Sequence, residues 1–259
     1  MIYGLYLSAT GVLTNSYRQD VIANNLANAE TVGFKRSLAL FRERRTEAQQ
    51  MGQTTSTNKL LEPIGGGTLL APTYVDHSQG HLEDTNNTLD AAILGRGYFA
   101  VQTGSGPDGM RLTRNGQFMT DRAGNVILSD GSGHKVLDFQ GKTINLGNIP
   151  ASRVAIRPDG TICADGQPVA KLALLDVPDE TLLRSQGSTL LSYPDNISAL
   201  PTARDAAVQN KFIEGSNVDP MSELTQLINA QRQLEANANM IRYQDQSLGK
   251  LVNEVGKIA

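Results

Sequence analysis

The chain has 259 residues, 39% of them hydrophobic and 5% aromatic, with no tryptophan and a formal net charge of −3. That length suffices for one large or two modest domains around a mainly aliphatic core, and the mild acidity gives no global electrostatic case for nucleic acid or a membrane surface. The absence of any run of about 18 apolar residues argues against a membrane span. Cys163, the only cysteine, has no internal disulfide partner and forms no metal-ligand pattern with the three scattered histidines, so it reads as a buried strand residue.

The start, MIYGLYLSATGVLTNS, lacks an early Lys or Arg and is interrupted by Gly4, Ser8, Thr10 and Gly11. This pattern does not fit a conventional cleaved secretory signal. Leu5, Val12, Gln19 and Leu26 recur seven apart, with Ala9, Ser16 and Ala23 between them, which predicts a helix with a narrow seam. Gly4, Ser8 and Gly11 form a second strip of small residues that would let another helix approach closely. In VIANNLANAETVGFKR, residues 21–36, Asn24, Asn25 and Asn28 stand beside Val21, Ile22 and Leu26. Each Asn costs a helix roughly 0.6 kcal/mol relative to Ala, so something outside the lone helix must stabilise the stretch. Gly33 and Phe34 are expected to end the helix, the glycine in a left-handed turn and the phenylalanine as an anchor.

Lys35, Arg36, Arg42, Arg44 and Arg45 follow, diluted by Glu43 and Glu47. This segment, FKRSLALFRERR, reads as partly helical and as a solvated basic face, with salt bridging to acidic neighbours as the sharper alternative. QQMGQTTSTNKLLEPIGGGTLLAPT, with Pro63 and Pro72, reads as extended chain with little core of its own. From about Gly80 to Gln209, turn pairs recur at Asp108-Gly109, Asn115-Gly116, Gly124-Asn125, Asp130-Gly131, Asp159-Gly160 and Asp165-Gly166. Between them lie YFAV at 98, VIL at 126, VAI at 154 and KLALLDV at 171, the pattern of an antiparallel β domain, a sandwich or barrel.

Near the end, Asp219 can cap a helix that Pro220 opens. Leu227, Leu234, Ile241, Leu248 and Val255 recur seven apart, with Leu224, Gln231, Ala238, Asp245 and Val252 as the expected accompanying row. A seam this long predicts a helix of about 55 Å packed in coiled-coil fashion. The fold class is therefore α+β: long N- and C-terminal helices packed as a coiled-coil-like hairpin, with an antiparallel β-rich domain inserted. The expected division is 1–32 plus 214–259 as a helical assembly domain, 33–78 as a connecting segment and 79–213 as the middle domain.

Each seam Leu or Ile gains about 1.5–3 kcal/mol on burial, and two helices alone cover only part of that surface. The remainder should contact other copies or related proteins. Asn237 and Asn239, beside Ile241, echo the N-terminal asparagines. Amides paired across helices set register, because a shifted neighbour leaves them unsatisfied; the bland alternative is that they face water. No catalytic, cofactor or metal site is expected. GRGYF lacks the spacing of a dinucleotide loop, the adjacency of Asp76, His77 and Ser78 does not make a triad, and His81 and His134 have no partner visible in the sequence.

Four stretches resemble the axial proteins of the bacterial flagellum, the rod and hook subunits: SATGVLTNSYRQDVIANNLANAETVGFKR, QGHLEDTNNTLDAAILGRGYFAVQ, LTRNGQFMTDRAGNVILSDGSGHKVL and FIEGSNVDPMSELTQLINAQRQLEANANMI. They occur in family order and touch both ends of the chain. Size favours a rod subunit with a middle domain, of the distal rod type or its proximal-rod neighbour; Leu94 and Arg96 depart from the acidic or polar choices of the distal type. A hook-type subunit and a secreted or phage-tail-like β-headed fibre are the alternatives.

The resemblance implies a structural, non-enzymatic subunit that polymerises helically into a torque-transmitting tube in the basal body. It also implies export through the flagellar channel. The implied partners are itself, other rod subunits, the hook protein, the rings around the rod and the export apparatus. The expected subunit-interface residues are Leu5, Val12, Ile22, Asn24, Asn25, Leu26, Asn28, Gly33, Phe34, Leu227, Leu234, Asn237, Ile241, Leu248 and Val255.

Overall fold

The structure is a computed structural model that describes residues 2–44, 67–104, 109–147, 149–194, 197–203 and 206–255. The chain forms two compact units: a helical one of Met1–Leu26, Ser37–Tyr74 and Asp219–Ala259, and a β-rich one of Ala27–Arg36 and Val75–Val218.

The helical unit contains α1 (Ile2–Ala27) and α2 (Pro220–Val255). α2 starts where its capping chemistry dictates. Asp219 Oδ1 accepts from the Met221 N–H at 3.2 Å, the Asp219 carbonyl accepts from the Glu223 N–H at 3.0 Å, and Pro220 has no N–H to satisfy. α1 stops earlier than the expected Gly33–Phe34 end. The chain turns after Ala27: the Thr31 hydroxyl donates to Asn28 Oδ1 at 3.3 Å and the Thr31 N–H to the Asn28 carbonyl at 3.1 Å. Short polar side chains that bond locally compete with helix in this way.

The described part of FKRSLALFRERR, residues 34–44, is not helical. It forms short strands at Ser37–Leu38 and Phe41–Glu43, and the second pairs antiparallel with Thr68–Leu70, Phe41 opposite Leu70. Pairing with a non-local strand overrides the helical propensity of its Leu, Ala, Arg and Glu residues. Most of the Thr- and Ser-rich stretch that follows lies outside the described residues.

The β unit is built on an eight-stranded antiparallel sheet. Its order is Arg184–Gln186, Leu190–Ser192, Met110–Thr113, Tyr98–Gln102, Lys135–Val136, Val126–Leu128, Phe118–Thr120, and Leu174–Leu175 adds to Tyr98–Gln102. The central Tyr98–Gln102 strand is apolar on both faces because both faces are covered. Phe99 and Val101 enter the main core with Phe118 and Leu128, whereas Tyr98 joins Leu112, Val177 and Leu191.

Val154–Ile156, Thr161–Ala164 and Gln167–Lys171 form a three-stranded sheet joined by the expected turns, with Gly160 at φ +79°, Asp165 at +51° and Gly166 at +80°. Cys163 is buried in its middle strand. KLALLDV splits between the end of Gln167–Lys171 and the separate Leu174–Leu175 strand.

Asn115-Gly116 makes no hairpin, contrary to expectation: its flanking strands do not pair. Gly116 instead lies against the backbone of Ala91, where a Cβ would sit 1.6 Å from the carbonyl oxygen. The glycine thus serves a close backbone approach and not a tight turn. The returning chain is fastened to the strands by which the unit begins: Ala207–Asn210 pairs with Ala91–Leu94, and Phe212–Glu214 with Leu82–Asp84.

Candidate functional site

α2 buries one face. Glu223, Leu227, Ala230, Leu234, Asn237, Ile241, Gln244 and Leu248 are buried or half-buried, alternating at intervals of four and three. The expected Leu row is present, but its companion row is a different one. Leu224 is 44% exposed and Val252 71%; Gln231 and Asp245 are also exposed, and Ala238 alone of that row is half-buried. Either companion row satisfies heptad spacing; the contacts with α1 fall on Glu223, Asn237 and Gln244.

A Cβ on Gly4 would lie 2.8 Å from Gln244 Nε2, and one on Gly11 2.6 Å from Asn237 Nδ2. Asn25 is buried and fully used: its amide donates to the Ser37 carbonyl at 2.8 Å and to Glu223 Oε2 at 3.3 Å, and its oxygen accepts from the Ser37 N–H at 2.9 Å. Glu223 is buried in the first turn of α2, where a carboxylate suits the helix dipole. Gln244 Oε1 is buried with no donor among the described residues.

Of the other expected interface positions, Ile22 is buried, whereas Leu5, Val12, Leu26 and Asn28 are half-buried and Asn24 is exposed. The side chain of Val255 lies outside the described residues. Leu13, Met221, Ile228, Met240 and Tyr243 are large apolar side chains left in solvent.

In the β unit, Gly33 adopts φ +71° and donates its N–H to the Glu214 carbonyl at 2.7 Å; a Cβ there would meet Asn115 N at 2.4 Å. Phe34 beside it is buried, as an anchor should be. Lys35 corrects the solvated-face reading, for it too is buried. Its Nζ donates to Glu214 Oε1 at 2.6 Å and to the Ser78 carbonyl at 2.7 Å.

Glu214 is fully buried and also accepts from Arg114 Nη1 at 3.2 Å and the Gly80 N–H at 3.0 Å. Arg114 Nη2 donates to the Gly95 carbonyl at 2.8 Å, and its guanidinium stands 5.0 Å from the centre of the Tyr98 ring. Burial pulls the Lys35 ammonium below its ordinary value; Glu214 opposes the shift and the Arg114 charge adds to it.

Tyr98 and His77 extend the network, Tyr98 Oη lying 2.8 Å from His77 Nδ1, and burial lowers the histidine and raises the phenol. Asn217 accepts from the Arg36 N–H at 2.7 Å and donates to the Asp76 carbonyl at 2.9 Å. Among the described residues no group of three or more His, Cys, Asp or Glu could hold a metal ion, and no helix is long and apolar enough to cross a membrane.

Residues 5–35 match the family model "Flagella basal body rod protein", residues 92–164 "Flagellar hook protein FlgE/F/G D1 domain", and residues 209–254 "Flagellar basal body rod FlgEFG protein C-terminal". The flagellar basal-body rod protein FlgG of Bacillus subtilis is 32% identical over 98% of this chain and 99% of its own length. FlgG of Agrobacterium fabrum is 32% identical over 93% and 95%, and the rod protein FlgF of Caulobacter vibrioides 30% over 98% and 98%. The chain belongs to the flagellar basal-body rod protein family.

It is thus a structural rod subunit of the basal body and not an enzyme. In this rod protein the buried carboxylate of Glu214 joins all three matched segments, because Lys35, Arg114 and Glu214 each fall in a different one. Sequence reasoning missed Glu214 and Arg114. The available signal was a lone acid in the apolar strand Phe212–Glu214, next to Ile213 and ahead of two small residues.

Proposed function

We propose that this rod protein polymerises head to tail into a helical tube that acts as a drive shaft between motor and hook. Contacts repeated with rotation and rise build an open helical polymer. The observation that carries the reading is the apolar surface left on the helical unit, where Met221, Ile228, Met240 and Tyr243 of α2 stand in solvent. Covering the part of each that is still exposed would gain roughly 1–2 kcal/mol apiece.

In this reading α1 and α2 form an antiparallel, coiled-coil-like hairpin. Support comes from contacts that step in opposite directions along the helices, from Gly4 with Gln244 to Gly11 with Asn237 to Asn25 with Glu223. Residues 1–32 with 214–259 are then the assembly end, 33–78 the connecting segment and 79–213 the middle domain. Leu5, Val12, Leu26, Leu227, Leu234, Asn237, Ile241 and Leu248, with Asn24 and Asn28, meet neighbours over the surface the chain itself leaves open. The buried Ile22, Asn25, Gly33 and Phe34 hold the shape those contacts need.

The subunit travels through the flagellar export channel. Its neighbours are other rod subunits, the hook protein and the rings around the rod. The subunit is of the distal rod type or of its proximal-rod neighbour.

Electron microscopy of the concentrated protein tests the proposal: tubes are expected, and particles that stay single at every concentration refute it. In dilute subunit, protease should cut before about residue 30 and after about residue 215 while the β unit resists, as expected of segments ordered by assembly.

A further inference from the structure

The apolar row of α2 cannot specify its own alignment. Leu227, Leu234, Ile241 and Leu248 repeat every seven residues with nearly equal volume, so a slide of one heptad leaves the row matched. The companion row differs at every position: Glu223, Ala230, Asn237 and Gln244. The residues of α1 that face it differ in the complementary sense. Two amides rest where α1 has no side chain, at Gly11 and Gly4, and Glu223 accepts from Asn25, which the Ser37 backbone holds on two bonds.

We infer that these rungs form a register key, in which amides seated on glycines, together with the Asn25–Glu223 bond, admit one alignment of α1 on α2. The inference rests on the hairpin reading above and deepens it. The rungs Gly4–Gln244 and Gly11–Asn237 step by seven, and the same step extended to Asn25–Glu223 would set Arg18 opposite the small, buried Ala230. Sliding α2 one heptad in one direction drives Asn237 against Arg18 and leaves Asn25 facing Ala230 without its carboxylate. Sliding it in the other sets Ala230 over Gly11, which opens a void, and again strips Asn25 of Glu223. Voids, overpacking and orphaned buried amides are all unfavourable, so both slides are rejected while the leucine row stays indifferent.

The test uses the full chain with Cys163→Ala and a reporter pair, Arg18→Cys with Ala230→Cys, in protein assembled at the concentration used for electron microscopy and scored on a non-reducing gel as an intramolecular disulfide that alters the mobility of the single-chain band. In the otherwise native background the pair is expected to cross-link. Gly11→Leu should cut the yield about tenfold, the scale of one overpacked contact. Adding Asn237→Ala to Gly11→Leu makes room for the leucine and should restore most of the yield.

No cross-link in the native background overturns the hairpin reading and the key with it. Equal cross-linking with and without Gly11→Leu overturns the key alone. Loss that Asn237→Ala fails to rescue also overturns the key, because the glycine would then serve only close helix approach.

Discussion

Glu214→Ala deletes the carboxylate that Lys35 and Arg114 both contact. All three side chains are at most 4% exposed, so water cannot replace it. Removing one partner of a buried ion pair costs about 3–5 kcal/mol because the remaining charge is uncompensated. Here two cations and the Gly80 N–H lose their acceptor together, which puts the expected loss at the upper end, about 5 kcal/mol. In a domain of roughly 150 residues each kcal/mol moves the midpoint by about 2–4 °C, so the β unit should melt on the order of 10–20 °C lower.

Thermal unfolding followed by circular dichroism in the β region measures this, with Lys35→Met as the comparison. That variant leaves Glu214 bonded to Arg114 and Gly80 and should lose only about 1–3 kcal/mol. A Glu214→Ala midpoint within about 2 °C of the native one, where the expected shift is several times larger, would refute the reasoning. So would a ranking in which Lys35→Met is the more damaging change.

The His77 imidazole is held below its ordinary value chiefly by burial, with the Lys35 and Arg114 charges adding and Glu180 and Asp76 opposing. A depressed folded value means that the unfolded chain binds the proton more readily. The stability His77 contributes is therefore complete above about pH 6.5 and falls as pH drops from there towards the folded value. Melting midpoints of the β unit should decline over that window, and His77→Asn should flatten the decline; identical profiles would count against it.

Gly33→Val combines a left-handed backbone with a Cβ placed 2.4 Å from Asn115 N, and should lower the same midpoint by several degrees while Thr31→Val does so less. Leu234→Asp puts a charge into the half-buried row of α2, so tubes should be absent by electron microscopy while the β-unit midpoint stays within about 2 °C of native.

Local chemistry was legible from the residues alone. Asp219 and Pro220 set the start of α2, seven-residue spacing marked the row from Leu227 to Leu248, and Asp159-Gly160 and Asp165-Gly166 marked two hairpins. Each signal needs only neighbours within a turn or two of chain. The strip of Gly4 and Gly11 likewise announced a close helix approach, without showing that Gln244 and Asn237 would fill it.

Three matters waited for the tertiary structure. Leu224 and Glu223 stand at equally good heptad positions, and hydrophobicity alone favours the leucine; α1 draws in Glu223, because Asn25 and two glycines offer polar or empty partners. Asn115-Gly116 has the composition of a hairpin, yet its glycine is required by the backbone of Ala91. Lys35 has the composition of a solvated basic run, yet its counter-ion lies 179 residues away in sequence. Spacing and capping are short-range properties that the chain carries with it everywhere. Which of several compatible faces turns inward depends on the volume and charge of whatever distant segment arrives opposite, and only folding brings that segment there.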